Sequence, residues 1–412
     1  MVAMKQLEST DPPFHGLKVI DAASWIAAPT AAMILGDLGA DVIKIEPPGD
    51  GDPYRGLIDN PALPQSGVNH TWIMDGRCKR SLTLNLKSEA GRDILIRLVT
   101  DCDVYITNQP FPVRRRLRLE YEDLAPLNPR LIFASLTAYG ETGPERDNGA
   151  FDGVAYWARS GLEDLVRSRG ARPAPSLPGM GDHPTGVALY AAIVTALYRR
   201  EQTGCGDLVH TSLLANGFWS NGCLGQAALA GADFKEWRGR PEDRPGSFTR
   251  ALYETSDGRY LQFIMVRSDE EQELLLRIAG LGEMLEEERF ETPEARFENV
   301  APIIEELAAM VSERTAREWL ELFRAQGVSA SLVALTEEMS DDEQAKANRI
   351  LVAPTDPAVG VPWVINHPVR LQGVEEVGPV CPPEVGEHTD EILGELGLDA
   401  ERIADLRRDG AI

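Results

Sequence analysis

The chain has no run of about eighteen apolar residues, the length a membrane-spanning helix needs. Its opening residues also lack the apolar stretch of a secretory signal. Neither a spanning nor an exported protein is expected, and the reading is a cytoplasmic one. Cysteine is scarce and unordered: Cys78, Cys102, Cys205, Cys223 and Cys381 show no CxxC or metal-ligand spacing. Such a set excludes a disulfide framework and reads as reduced packing thiols, with no metal site. Positive charge is in deficit, with 41 Lys and Arg against 65 Asp and Glu and a formal charge of −24. That balance repels nucleic acid and anionic membrane surfaces, so neither is an expected partner. No GxGxxG follows the first strand-like segment, which disfavours a nicotinamide-dependent dehydrogenase. Internal repeats and low-complexity tracts are missing as well.

What remains is an ordinary globular composition over 412 residues, enough for two domains. The first half alternates strand and helix. KVIDA (18–22) reads as a buried strand, Pro29 as the first residue of a helix that Gly39 ends, and DVIKIE (41–46) as the next strand. LTLNL (82–86), a helix from Ser88 to about Thr100, then strands at 103–107 and 131–136 continue the rhythm. The pattern predicts a doubly wound, Rossmann-like α/β large domain over residues 1–224. Residues 225–246 read as a linker ending in a loop rich in Pro, Gly and Arg (237–246). Ser256-Asp257-Gly258 between strand-like runs predicts a hairpin. Capping boxes at Thr315-x-x-Glu318 and Ser340-x-x-Glu343 predict helix starts. A smaller α+β domain is therefore expected at 247–335. Residues 336–412 read as a linker, a strand-like PWVIN (362–366) and a C-terminal helix.

The segment GDHPTG (181–186) opens a helical stretch in which Val187, Leu189, Ala191, Ile193, Ala196 and Leu197 fall around the whole circumference. A helix apolar on every face is expected to be buried. Asp182 at its mouth has two readings. One is an N-cap that accepts orphan backbone N–H groups. The other is a catalytic carboxylate.

The chain resembles the class III CoA-transferases, the family of formyl-CoA:oxalate and carnitine CoA-transferases that also holds the α-methylacyl-CoA racemases. The resemblance rests on GLKVID (16–21), AAP (27–29), DLGADVIKIEP (37–47), CKRSLTLNLK (78–87), DVYITN (103–108), LNPRLIFASLTAYG (127–140), GCGDLVHTSLL (204–214) and GEHTDEILGELG (386–397). It implies two domains joined by long linkers, a C-terminal tail that returns to the large domain, and a homodimer whose subunits interlock.

It also implies that Asp182 is the nucleophile. The carboxylate attacks a donor thioester to give a mixed anhydride and then an aspartyl-CoA thioester, which an acceptor acid resolves. An ordinary Asp, with a pKa of about 3.9, is ionised at pH 7 provided burial does not raise it. Backbone N–H groups near Gly181 are expected to face the oxyanion. Acyl-CoA and a carboxylic acid are then the substrates, with CoA part of the substrate and no tightly bound cofactor. Asn108, Arg116 and Lys87 match CoA-contacting positions, and Lys79 and Arg80 lie close to them in the pattern. Arg116 belongs to the basic cluster 113–118, whose other reading is a solvated helix face.

Several departures narrow the reading. Racemases carry a proton-transferring His upstream of the Asp; the matching stretch here is Ala150-Phe151-Asp152, and phenylalanine moves no proton. Asp152 is then either a turn or cap residue or a direct participant. Pro47 and Pro48 stand where some transferases place an Arg, and Ile26 where the oxalate enzyme has a Gln. A run of glycines that closes that enzyme's site is missing, so oxalate is not an expected acceptor. Arg238, Arg240 and Arg244 are either a clamp for a second carboxylate or surface charges. Trp25 and Trp157 either line an acyl pocket or belong to the core. A racemase and a non-catalytic acyl-CoA-binding protein remain the alternatives.

Overall fold

Six short strands pair in parallel in the first part of the chain. β1 (Lys18–Asp21), β2 (Asp41–Glu46), β3 (Arg80–Thr83), β4 (Val104–Thr107), β5 (Ile132–Thr137) and β6 (Asp207–Ser212) take the order β3-β2-β1-β4-β5-β6. The helices of this part are α1 (Ala27–Asp37), α2 (His70–Asp75), α3 (Glu89–Val99), α4 (Phe111–Leu117), α5 (Tyr121–Leu124), α6 (Leu162–Leu165) and α7 (Asp182–Thr203). These come from a computed structural model that describes residues 11–167, 171–234, 247–374 and 376–412. The expected Arg-rich loop, with Arg238, Arg240 and Arg244, lies outside the described residues.

The chain divides into two compact units, Met1–Gln226 with Glu343–Ile412, and Ala227–Asp342. Successive strand residues of the first unit alternate between two cores, as the two-residue period of a strand requires. Ile20, Ile43, Ile45, Tyr105 and Phe133 face one side. Val19, Val42, Val104, Ile106 and Ile132 face the other. The first side is covered by α3 and by Ile392, Leu393, Ile403 and Leu406 of the C-terminal segment. The second is covered by α1 and α7.

Local chemistry explains most of the boundaries. Ser88 caps α3 by accepting from Gly91 N–H at 3.0 Å. The strand expected at 82–86 ends at Thr83 instead. Glu46 closes β2, and beyond it Asn85 N–H turns to Ala411 carbonyl at 2.8 Å, so 85–86 have no strand partner. Pro29 sits in the third position of α1 rather than the first; its missing N–H is still one of the orphan donors of a first turn. Gly39, with φ of +98°, follows the end of α1 as expected.

In the second unit β7 (Tyr253–Glu254) and β8 (Tyr260–Gln262) form the expected hairpin around Gly258, and β9 (Ser331–Leu332) adds a third antiparallel strand. The Thr315–Glu318 capping box forms as written. The Ser340–Glu343 box does not, because Ser340 is taken into the 3₁₀ turn Thr336–Asp341. A box that the sequence reading missed, Ser268–Glu271, opens the helix Asp269–Ile278.

The expectation that α7 is buried all round is overturned. Thr185, Gly186, Leu189, Ile193, Ala196 and Arg200 form one buried stripe, while Ala191 and Tyr198 are exposed. The stripe advances by three or four residues and lies against α1, which is buried along its whole length and rich in alanine. The two helices approach so closely at Gly186 that a Cβ there would stand 2.6 Å from the Ala27 carbonyl oxygen and 2.7 Å from Thr30 Cβ. Gly186→Ala is therefore expected to cost about 1–3 kcal/mol by overpacking, read as a lower urea midpoint at unchanged slope. Because α7 begins at Asp182, the same variant is expected to lose turnover.

Candidate functional site

Open parallel sheets bind ligands beyond the carboxyl ends of their strands, at the point where the strand order reverses. That point lies here between β1 and β4. The segments leaving these two strands line a cavity of about 300 Å³, together with the first residue of α7. Asn108, just past β4, staples the two exits. Its Oδ1 accepts from Ser24 N–H at 2.9 Å and its Nδ2 donates to the Ser24 carbonyl at 2.7 Å. Both amide atoms are spent on the backbone, so the side chain fixes the shape of the cavity it lines.

Asp182 faces the same cavity. The N-cap reading fails, because Gly181 holds the cap position and no side-chain cap bond is made. Among the described residues the Asp182 carboxylate accepts no hydrogen bond. Burial, reinforced by the nearby Asp152 carboxylate, pushes its pKa up to about 7 against the partial relief offered by His183. The expectation of full ionisation at neutral pH is corrected accordingly: a poorly solvated carboxylate without a donor gives up its charge first.

Three neighbours define this environment. Asp152 accepts from Gly153 N–H at 2.8 Å and from Gly181 N–H at 2.9 Å, so it holds the turn that presents Asp182. The Gly181 N–H expected to face an oxyanion is thus already committed. His183 places Nε2 3.2 Å from Oδ1 of the fully buried Asp75. Asp75 also accepts from Tyr54 Oη at 2.7 Å and Thr30 Oγ1 at 2.9 Å. Burial opposes charge on both partners of the His183–Asp75 pair. Their bond outweighs it, raising the His183 pKa and lowering that of Asp75.

Trp25 forms a wall of the cavity with its backbone in the left-handed region, φ +68°. A non-glycine residue held there costs on the order of 1–3 kcal/mol. Asp52 Oδ1 holds it, accepting from Trp25 N–H at 3.1 Å and from Tyr54 N–H at 3.0 Å. Asp52 is in turn paired to the buried Lys44 at 2.7 Å. The Trp25 ring meets Phe151 edge to face at 5.2 Å. Phe151 lines the cavity and is 59% exposed.

The remaining sequence candidates separate. Arg116 is exposed on α4, directly after the β4 exit, and makes no ion pair among the described residues. Its neighbours do: Arg115 bonds Asp147, and Arg114 is buried against the Gln109 carbonyl and Ser135. Lys87 is exposed beyond β3, three strand spacings from β4, or roughly 14 Å. Lys79 is buried, with Nζ 2.9 Å from both Asp21 Oδ2 and the Pro29 carbonyl. Arg80 is held by Asp41, Glu391 and Glu395. The cavity therefore gathers Asn108 and Asp182, while Lys79 and Arg80 are engaged with internal partners elsewhere. Trp157 belongs to the core and donates to the Ala174 carbonyl at 2.6 Å.

Sequence reasoning missed Asp75 and Tyr54, which carry no local signature. It also missed Gln109, whose buried Oε1 lacks a partner among the described residues, and Arg146, which stacks on Phe111 at 4.0 Å; both line the cavity.

The sequence model of CoA-transferase family III matches residues 14–389. The (R)-2-hydroxy-4-methylpentanoate CoA-transferase of Clostridioides difficile is 32% identical over 398 residues, 95% of this chain and 98% of that protein. The succinyl-CoA:glutarate CoA-transferase of Mus musculus is 30% identical over 97% of this chain and 90% of its own length. A crystal structure of a CAIB/BAIF family protein from Brucella suis superposes with a TM-score of 0.81 at 28% identity, covering 94% of this chain and 100% of the other.

Titration of Asp182 links the site to stability. Its carboxyl moves from an ordinary 3.8 to about 7 on folding, so the folded state binds the proton more tightly between those values. The associated stability is full below the lower value and is lost as pH rises through the upper one. Asp182→Asn is expected to melt with the wild type near pH 4 and above it by a margin that grows to pH 8. Thermal melts across that range read the margin directly.

Proposed function

We propose that this chain, which belongs to CoA-transferase family III, moves CoA from an acyl-CoA thioester to a carboxylic acid with Asp182 as nucleophile. The observation that carries the reading is a carboxylate that has no hydrogen-bond donor among the described residues and faces, with Asn108, a cavity at the sheet's switch point.

An Asp182 oxygen attacks the thioester carbonyl carbon, the C–S bond breaks, and a mixed anhydride and CoA thiolate result. The thiolate attacks the aspartyl carbonyl, releasing the donor acid and leaving an aspartyl-CoA thioester. The acceptor carboxylate attacks that thioester and frees the thiolate again. Attack of the thiolate on the acceptor's acyl carbon then gives the new acyl-CoA and restores Asp182. Every nucleophile is an anion and every leaving group departs as one, so no proton has to move. A phenylalanine at 151 is compatible with such chemistry. Weak solvation strengthens the Asp182 anion as a nucleophile and keeps part of the carboxyl protonated near neutral pH. The Trp25–Phe151 wall supports exclusion of water from the anhydride.

Because the chain is acidic, its CoA site must be locally basic. Arg116, exposed and without an ion pair among the described residues, is assigned to CoA phosphates. Lys87 is assigned to a more distant contact, and Asn108 to the shape of the entry. A cytoplasmic homodimer completes the reading; exposed Tyr198, Phe218 and Trp219 support self-association, which sedimentation checks.

The test uses the purified protein in deuterated water with acyl-CoAs and a panel of acids, read by mass spectrometry. A new acyl-CoA that disappears in Asp182→Ala is the expected result. Deuterium at the α-carbon without a new acyl-CoA would replace the transferase with a racemase. The rate at low substrate is expected to rise with pH and level off above about 7, as Asp182 deprotonates. Arg116→Ala is expected to raise the KM for acyl-CoA roughly tenfold, the loss of one charge-assisted contact.

A further inference from the structure

A second cavity, of about 430 Å³, is lined in part by residues adjacent in the chain to those of the first. Consecutive residues divide the two. Trp25 and Ala27 line the switch-point cavity and Ile26 lines the second; Asp182 lines the first and His183 the second. The two cavities thus adjoin at the starts of α1 and α7, where Asp182 of the first is followed by His183 of the second.

The two cavities differ in chemistry. The first offers Asn108, Gln109, Arg146 and Asn148 around Asp182. The second is walled by Ile26, Leu57, Ile73, Met74, Trp363 and Ile365, and among the described residues no Lys or Arg lines it. Its polar side chains are already held. Tyr54 Oη donates to Asp75 at 2.7 Å, Thr71 Oγ1 to Asn69 at 2.9 Å, His70 Nδ1 meets Ser66 at 2.9 Å, and His183 Nε2 meets Asp75 at 3.2 Å. Most of the lining presents carbon to whatever enters, and the volume is that of a small-molecule site.

We propose that this second cavity receives the side chain of an apolar monocarboxylic acid, branched or aryl, whose carboxyl group reaches Asp182 where the two cavities adjoin. The inference rests on the transferase reading and names its substrate class. An acid with a second carboxylate would place that charge among apolar side chains, where among the described residues no Lys or Arg lines the cavity and His183 is already paired with Asp75, which is unfavourable. Each methylene buried in the cavity is worth about fourfold in binding.

Label exchange tests the proposal without knowledge of the natural pair. 3-Phenylpropionyl-CoA is incubated with ¹³C-3-phenylpropionate, 4-methylpentanoyl-CoA with its labelled acid, and succinyl-CoA with ¹³C-succinate; label entering each thioester is followed by mass spectrometry. The two apolar acids are expected to exchange with kcat/KM at least about tenfold above succinate, a little less than two buried methylenes' worth. Ile365→Arg, at a half-exposed position, is expected to lower apolar exchange about tenfold and raise that of succinate. Thr71→Trp, which fills the cavity from a partly exposed position, is expected to shift preference toward shorter acids. Succinate exchanging as fast as the apolar acids, or both variants leaving the preference unmoved, would overturn the cavity assignment and leave the transferase intact. Absence of exchange with every pair would remove the transferase reading and this inference together.

Discussion

Lys44 is the charge on which the site is built. It is fully buried at the carboxyl half of β2, donates to the Ala23 carbonyl, and stands 2.7 Å from Asp52 and 3.7 Å from Asp21. Burial opposes its charge, but Asp21, Asp52 and Glu46 outweigh that cost and raise its pKa. Asp52, held in this way, accepts from the N–H groups of both Trp25 and Tyr54. Trp25 lines one cavity and Tyr54 the other. A cluster of buried ions tolerates little rearrangement, since displacing one partner leaves an uncompensated charge at a cost of about 3–5 kcal/mol. One ion cluster beneath the sheet's edge therefore sets the backbone of two cavities and sustains a left-handed tryptophan between them.

Charge around Asp182 is arranged against its ionisation. Two carboxylates, Asp152 and Asp75, are close enough to raise its pKa, and one imidazole, His183, works the other way. Asp75 is itself satisfied by three donors, so its charge is fixed, and His183 is tied to it. The result is a carboxylate poised near neutrality rather than a stable anion. Such tension is a common property of reacting carboxylates and an uncommon one of structural carboxylates, which collect hydrogen bonds instead.

Much of the fold was legible. The strands at 41–46, 103–107 and 131–136 appear within one residue of their expected limits, because each is a short apolar run bounded by turn residues. Ser88 and Thr315 capped helices as written, since a cap is decided within four residues. Failures came where a distant partner decides. The strand expected at 82–86 stopped where β2 stopped and the C-terminus took over. Ser340 lost its capping role to a neighbouring 3₁₀ turn. The apolar residues around α7 suggested complete burial, yet only the stripe against α1 is covered within this chain.

The sequence by itself determined the alternation of strand and helix, the family, and Asp182 as the carboxylate to watch, because these depend on local pattern and on motif order. It also determined that no histidine stands at 151. Tertiary structure decided the rest. It raised the pKa of Asp182, tied Gly181 to Asp152, turned Lys79 inward, engaged Arg80 with surface carboxylates, and joined Tyr54, Asp75 and His183 into one network. Solvation and ion pairing depend on groups brought together from positions tens to hundreds of residues apart. Only the folded packing of α1, α2 and α7 at the sheet's switch point makes them neighbours.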